Sequence, residues 1–452
     1  MNIVVIGLGK VGLEVVEQLV AEGHSITVID IDDKKIDSAL GLYDIGAVAG
    51  NATNYKILKE ANVNDAELVI ALTGNDEINL LSCLLSKKLG AEKTIARARD
   101  PEYREGIYII RDDLGLSLCI NPEMETAREI ARVIKFPLAK NVEPFARGRV
   151  ELIEYEVTKN EPLCGRTVNS IFSKMKNPVL VCAVERGDSV IIPYGDFIFL
   201  EGDVLMLMAT PDRMSDFFRE IGIKTTTIRD VIIIGGGRTS YYLAEQLLKQ
   251  HIDVSIIEIN KDAADEIATL LPEANVILGD GTDHQLLAEE GLKNADAFCC
   301  MTGIDEENII ASLYANTVSR DIKTITKVSR SELAYLAKPL GMDTVVTPKK
   351  IAANLIISYV RAKQNSEGSN VLTLYKLADG KAEALEFAVG EECDMVNIPL
   401  KDLTLANDVI IATINRKGKI ISPRGMDSMQ VGDTVIVVTT RIGLDRLNDI
   451  RG

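Results

Sequence analysis

Residues 7–12 read GLGKVG, directly after the apolar run Ile3–Ile6 and ahead of Val15, Val16, Leu19 and Val20 at helical spacing. Glycines so placed suit a phosphate. Gly7 permits a tight turn out of a strand, Gly9 lets a phosphate approach the backbone, and Gly12 lets the next helix pack closely on the strand. Asp30 ends the following apolar run, 18 residues past Gly12, where a carboxylate can accept from both hydroxyls of an adenosine ribose and repel a 2′-phosphate. The pair selects NAD, ADP or ATP over NADP. Leu8, Lys10 and Val11 complete the turn, Ile31 follows the acid, Asn51, Ala52 and Thr53 follow a third apolar run, and Thr73 and Gly74 follow a fourth. All fall where parallel sheets bind ligands, beyond the carboxyl ends of their strands.

The same constellation recurs. Gly235, Gly237 and Glu258 match Gly7, Gly9 and Asp30 at an offset of 228, while Arg238 and Thr239 match Lys10 and Val11. Asp280 and Thr282 stand in for Asn51 and Thr53, and Thr302 and Gly303 for Thr73 and Gly74, at an offset of 229. Ser240 replaces the third glycine. That glycine serves packing more than phosphate contact, so a small serine is expected to cost affinity without abolishing binding. Lys10 and Arg238 read equally well as phosphate neighbours or as exposed cations at a helix start.

Catalytic groups are harder to find. Hydride transfer needs a placed proton donor or acceptor, yet the two YxxxK matches, Tyr55–Lys59 and Tyr359–Lys363, fall too near the glycine turn or in a closing helix. No Ser-His-Asp set, metal-ligand cluster or GxxxxGK[ST] loop is present, and there are only three histidines. The seven cysteines lack CxxC spacing, with Cys299 and Cys300 inside an apolar run, and read as reduced core residues. An NAD-dependent oxidoreductase is the alternative, and a scaffold with vestigial sites a third. Two cradles without catalytic groups favour a sensor, which works only if its ligand prefers one conformation.

Around these motifs, short apolar strands alternate with amphipathic helices. That pattern predicts α/β architecture: two doubly wound parallel-sheet Rossmann-like domains, each followed by a small α/β domain. The 452 residues suit several domains, and repeats at offsets of 228 to 230 make the chain a tandem duplication. The expected boundaries are 1–134, 141–223, 228–360 and 369–452, with linkers in the proline-bearing 135–148 and the polar 361–370. A net charge of −17 repels nucleic acid and anionic lipid. With no long apolar segment or leader, the expected location is the cytoplasm.

The motifs MNIVVIGLGKVG, VIDID, GNAT, ALTGNDEIN and INPEMETAREIA, doubled over essentially the whole chain, resemble the TrkA family of tandem regulator-of-potassium-conductance (RCK) proteins. That resemblance implies a peripheral subunit on the cytoplasmic face of the membrane, touching it only through a potassium-translocating Trk-type partner. It also implies assembly into a dimer or tetramer ring, and NAD(H), with ATP or ADP possible, biasing the partner's gate. By the same resemblance Gly7, Gly9, Lys10, Val11, Gly12, Asp30, Asn51, Thr53, Thr73 and Gly74 form the first site, with Arg97 beside it. Glu123, after Pro122, matches an acid that approaches nucleotide or cation across a subunit contact. The second half has Lys349 after Pro348 instead.

Overall fold

The protein is described by a computed structural model over residues 1–101, 103–172, 175, 179–223, 227–337, 340–342, 344–365 and 371–452. It divides into two compact units, Met1–Ile130 with Arg229–Ile357, and Ala131–Ile228 with Ser358–Gly452. Each unit therefore takes one part from each half of the duplication.

The first unit holds two parallel sheets. One is built from β1 (Asn2–Ile6), β2 (Ser25–Asp30), β3 (Gly46–Ala49), β4 (Leu68–Ala71), β5 (Lys93–Arg97) and β6 (Leu118–Ile120), in the order β3-β2-β1-β4-β5-β6. β1 pairs with both β2 and β4, so the strand order reverses beside it, directly beneath the glycine turn. Such a reversal opens the crevice in which doubly wound sheets bind ligands. β4 is apolar along its length and β1 is so after the exposed Asn2, because helices cover both faces of the sheet. Asp32, Asn54 and Asn75 cap the helices that follow β2, β3 and β4 through their side chains. Helix Lys10–Ala21 has no such cap, and its first-turn N–H groups stay available to a ligand.

The second copy repeats this arrangement. Its strands β12 (Asp230–Ile234), β13 (Asp253–Glu258), β14 (Asn275–Leu278), β15 (Ala297–Cys300), β16 (Lys323–Lys327) and β17 (Thr344–Val346) follow the order β14-β13-β12-β15-β16-β17. Helix Arg238–Leu248 is likewise uncapped by a side chain.

The second unit is antiparallel. β7 (Asn141–Phe145), β8 (Val150–Glu156), β9 (Leu180–Arg186), β10 (Ser189–Ile191) and β11 (Val204–Ala209) make one sheet, in the order β10-β9-β11-β8-β7. β18 (Val371–Leu377), β19 (Ala382–Ala388), β20 (Val409–Arg416), β21 (Lys419–Ile421) and β22 (Thr434–Thr439) make the other, in the order β18-β19-β22-β20-β21, which is the same topology. One buried core joins them, with Phe145, Leu152 and Met206 from one half against Leu377, Ala384 and Val438 from the other. The repeated Gly-Asp turn has a structural role in both: buried Asp203 and Asp433 each bind an arginine, Arg186 and Arg416, at 2.7 Å.

Two linker expectations are corrected. Residues 135–148 contain β7, whose Pro144 is tolerated because β7 is an edge strand. Of 361–370, residues 361–365 continue helix Pro348–Asn365, and 366–370 lie outside the described residues. The doubly wound expectation holds, and Rossmann-like sheets in tandem are the architecture found. No helix among the described residues is long and apolar enough to cross a membrane.

Candidate nucleotide site

The glycine turn is shaped by what each glycine faces. Gly7 has φ +95°, and a Cβ there would lie 2.8 Å from the Thr73 amide nitrogen, so the first glycine lets the turn sit against the loop after β4. Gly235 repeats this against Thr302, with φ +89°. A Cβ on Gly9 or Gly237 would meet nothing within 4 Å, leaving the space a phosphate would use. At Gly12 it would stand 1.9 Å from the Gly7 carbonyl oxygen. The second copy solves that position differently, with the Ser240 hydroxyl donating to the Gly235 carbonyl at 2.5 Å.

Asp30 is buried and held from behind. Its Oδ2 accepts from the Leu8 amide at 2.6 Å and its Oδ1 from the Asp32 amide at 2.9 Å. Each oxygen keeps a further lone pair, so the carboxylate is fixed in place yet can still accept from a ribose. Glu258 is held in the same way by the Gly236 and Asn260 amides.

The loop after β4 is clamped by a residue that motif reading passes over. Buried Asn79 accepts from the Thr73 N–H and hydroxyl at 2.8 and 2.7 Å and donates to the Arg97 carbonyl at 2.9 Å. Asn308 does the same for Thr302 and the Lys327 carbonyl. The signal was available, since asparagine recurs at 79 and 308 within TGNDEIN and TGIDEEN.

Gly7, Gly9, Lys10, Val11, Asp30, Ile31, Asn51, Ala52, Thr73, Gly74 and Arg97 line one cavity of about 610 Å³, well within the range of small-molecule sites. Leu8 is buried behind the turn, Gly12 is taken up by helix packing, and Thr53 bonds back to Asn51. Glu123 is not among the lining residues and lies 3.9 Å from Arg99. Arg97 donates to the Thr73 carbonyl, and burial lowers the pKa of its guanidinium. Lys35, absent from the sequence-based set, lines the cavity and stands 4.0 Å from Asp30. Ser329, Pro348 and Lys349 of the second half also reach it. The sequence marked Pro348 and Lys349 as a departure from Pro122-Glu123 but could not place them or Ser329 at this cavity, because they arrive through the packing of one Rossmann-like domain on the other.

In the second copy, the Thr282 amide and hydroxyl bond to Asp280, and these bonds lower the pKa of its carboxyl. Arg238 reaches Asp100 of the first half at 3.4 Å. Thr239 is buried, while Gly237 and Gly303 are exposed. Lys327, the counterpart of Arg97, donates to the Met301 carbonyl at 2.7 Å, and burial lowers its pKa. All seven cysteines are free. Burial raises the thiol pKa of Cys300 to about 12 and that of Cys119 to about 11, so neither is ionised near neutral pH. Among the described residues no group of His, Cys, Asp and Glu could hold a metal ion.

A strand-order reversal under a glycine turn, present twice and paired with duplicated antiparallel sheets, defines a class of tandem Rossmann-like proteins. The TrkA-N domain matches residues 3–122 and 231–348, and the TrkA-C domain 152–222 and 384–452. The chain belongs to the TrkA family. The "Trk system potassium uptake protein TrkA homolog" of Archaeoglobus fulgidus is 30% identical over 450 residues, covering 100% of both chains. Among solved structures, "GsuK channel bound to NAD" superposes with a TM-score of 0.65 at 18% identity, over 97% of this chain and 76% of that one. "Crystal structure of the GsuK bound to ADP" gives 0.51 at 16%, over 80% and 69%. At these identities the structural likeness establishes the fold.

Proposed function

We propose that the protein is a nucleotide-sensing regulatory subunit that binds NAD(H), ATP or ADP and gates a potassium uptake transporter at the cytoplasmic membrane face. The observation that carries this reading is the cavity over Gly7–Gly12, lined by a buried, amide-held Asp30 and by the start of a helix with no side-chain cap. Relatives named for potassium uptake, and a fold shared with structures solved with NAD and with ADP, support it. The partner is a Trk-type potassium-translocating membrane subunit, and the chain acts as a dimer or tetramer ring, touching the membrane only through that partner. The role is regulatory and not catalytic. Among the described residues, the ionisable groups lining the cavity are three lysines, one arginine and Asp30, whose remaining lone pairs serve a ribose in this proposal, which favours binding over proton transfer.

Calorimetry of the full chain with NADH, ATP and ADP tests the reading. We expect binding by at least one, reduced ten-fold or more in Asp30→Ala, and nucleotide-dependent potassium flux when the chain is reconstituted with its transporter. Binding by none, or flux indifferent to a bound nucleotide, would overturn it. Substrate-dependent NADH turnover would replace it with an oxidoreductase.

A further inference from the structure

The two cradles are alike in backbone and unlike in charge, the first strongly cationic and the second balanced. Facing the first cavity are Lys10, Lys35, Arg97 and Lys349, against the single carboxylate of Asp30. At the matching positions of the second copy stand Arg238, Ala263 and Lys327, with Glu258 and Asp280 as acids. Arg238 is drawn to Asp100, and Asp280 replaces the neutral Asn51.

The exchange between halves widens the difference. Each Rossmann-like domain presents to the other a turn that leads into a helix opening on proline, with Pro122-Glu123 starting the helix after β6 and Pro348-Lys349 the one after β17. The second half's turn places Lys349 in the first cavity, with its Nζ 3.1 Å from Glu14 Oε2 on helix Lys10–Ala21. The first half's turn places Glu123 within electrostatic reach of Lys327, and Glu123 Oε2 is buried with no hydrogen-bond partner among the described residues. The second half thus contributes a cation to the first cavity, while the first half's acid is felt by both Lys327 and Arg97.

A terminal phosphate carries about 1.5 to 2 negative charges at pH 7, whereas both phosphates of NAD are diesters in mid-molecule. A flexible ammonium entering from the facing domain suits the former. We infer that the first cradle selects a nucleotide with a free terminal phosphate, ADP or ATP, and that Lys349 is the residue that selects it over NAD(H). Glu14 is the internal rival for that ammonium. A bound terminal phosphate draws Lys349 from Glu14, which keeps its hydrogen bond from Gln18 at 3.3 Å. The inference rests on the reading of the chain as a nucleotide binder.

The test is calorimetry of the full-length chain with ATP, ADP, NAD+ and NADH, on the wild type, Lys349→Gln, Lys349→Arg and Glu14→Gln. Expected are about ten-fold weaker ATP and ADP binding in Lys349→Gln, with NAD(H) changed less than two-fold, and recovery in Lys349→Arg. In Glu14→Gln, which frees the ammonium, ATP should bind a few-fold more tightly. Equal losses for ATP and NAD(H) in Lys349→Gln, or none for either, would overturn the inference. So would a wild type that binds only NAD(H), which leaves the nucleotide reading intact. A wild type that binds no nucleotide sinks both.

Discussion

At Gly12 a single methyl group decides whether the first turn keeps its shape. The 1.9 Å approach to the Gly7 oxygen leaves no room for a side chain unless the helix moves off the strand, a displacement that costs about 1–3 kcal/mol in a packed site. Gly12→Ser should therefore weaken nucleotide binding at the first cradle at least ten-fold and lower the melting temperature by several degrees. Ser240→Gly exchanges one hydrogen bond for a helix-start glycine and should change stability by about 1 kcal/mol or less. Binding titrations and thermal melts on both variants check this; equal effects would mean that the two turns do not differ as their geometry says. The glycine types and the strand-end acids were legible in the sequence because each answers a local backbone demand. What Ser240 does instead of glycine was not, since its partner is a carbonyl whose direction only the folded turn sets. A second compensation was hidden likewise: Gly236 and Ile267 replace Leu8 and Ala39, and Ile267 Cδ1 lies 2.7 Å from where a Cβ on Gly236 would be.

The loops around the sites are held by elements clamping one another. Asn79 closes the loop after β4 onto β5, and Asn79→Ala leaves the half-buried Thr73 N–H without its acceptor, at about 1–3 kcal/mol. Weaker nucleotide binding is expected with it, and an unchanged melting temperature would refute that structural role. Asp305 works beside Asn308. It accepts from the Ser329 and Arg330 amides at 2.9 Å, and although burial pushes its carboxyl up, these bonds and Arg330 bring the pKa below 3.8. A depressed carboxylate stabilises the fold above the unfolded pKa and loses that contribution as pH falls through the folded one. Asp305→Asn should thus be less stable than the wild type at pH 6, with the gap closing below pH ~3.8; a gap that widens there in denaturant titrations would refute the assignment. The joint between the two Rossmann-like domains is asymmetric too. Tyr242, fully buried, donates to the Arg99 carbonyl and accepts from Asn121, both at 2.9 Å. The corresponding position in the first half is Glu14, paired with Lys349. One arm is neutral and the other ionic. The sequence singled out only Lys349 of this set and could not pair it with Glu14, or Tyr242 with Asn121, because pairing belongs to the packing of separate domains.

For the whole molecule, duplication has consequences that domain counting does not show. Four sheets were legible from repeated strand patterns, yet they are grouped by type, with like beside like in each unit. In the antiparallel unit the grouping is held by one core in which Phe145 packs edge-on against Tyr375, ring centroids 4.7 Å apart, and Met206 and Val438 are fully buried. Neither half can bury these side chains alone, and their removal from water is worth about 1.5–3 kcal/mol each. A half-chain ending at residue 227 would therefore expose this face. It carries its own copy of every sheet type, so a second half-chain can take the place of the missing one through a symmetric interface. We expect residues 1–227 to be a homodimer by light scattering at micromolar concentration, and Met206→Asp in that half-chain to be monomeric or aggregated. A stable wild-type half-chain monomer would show that the shared core follows folding of each half instead of supporting it.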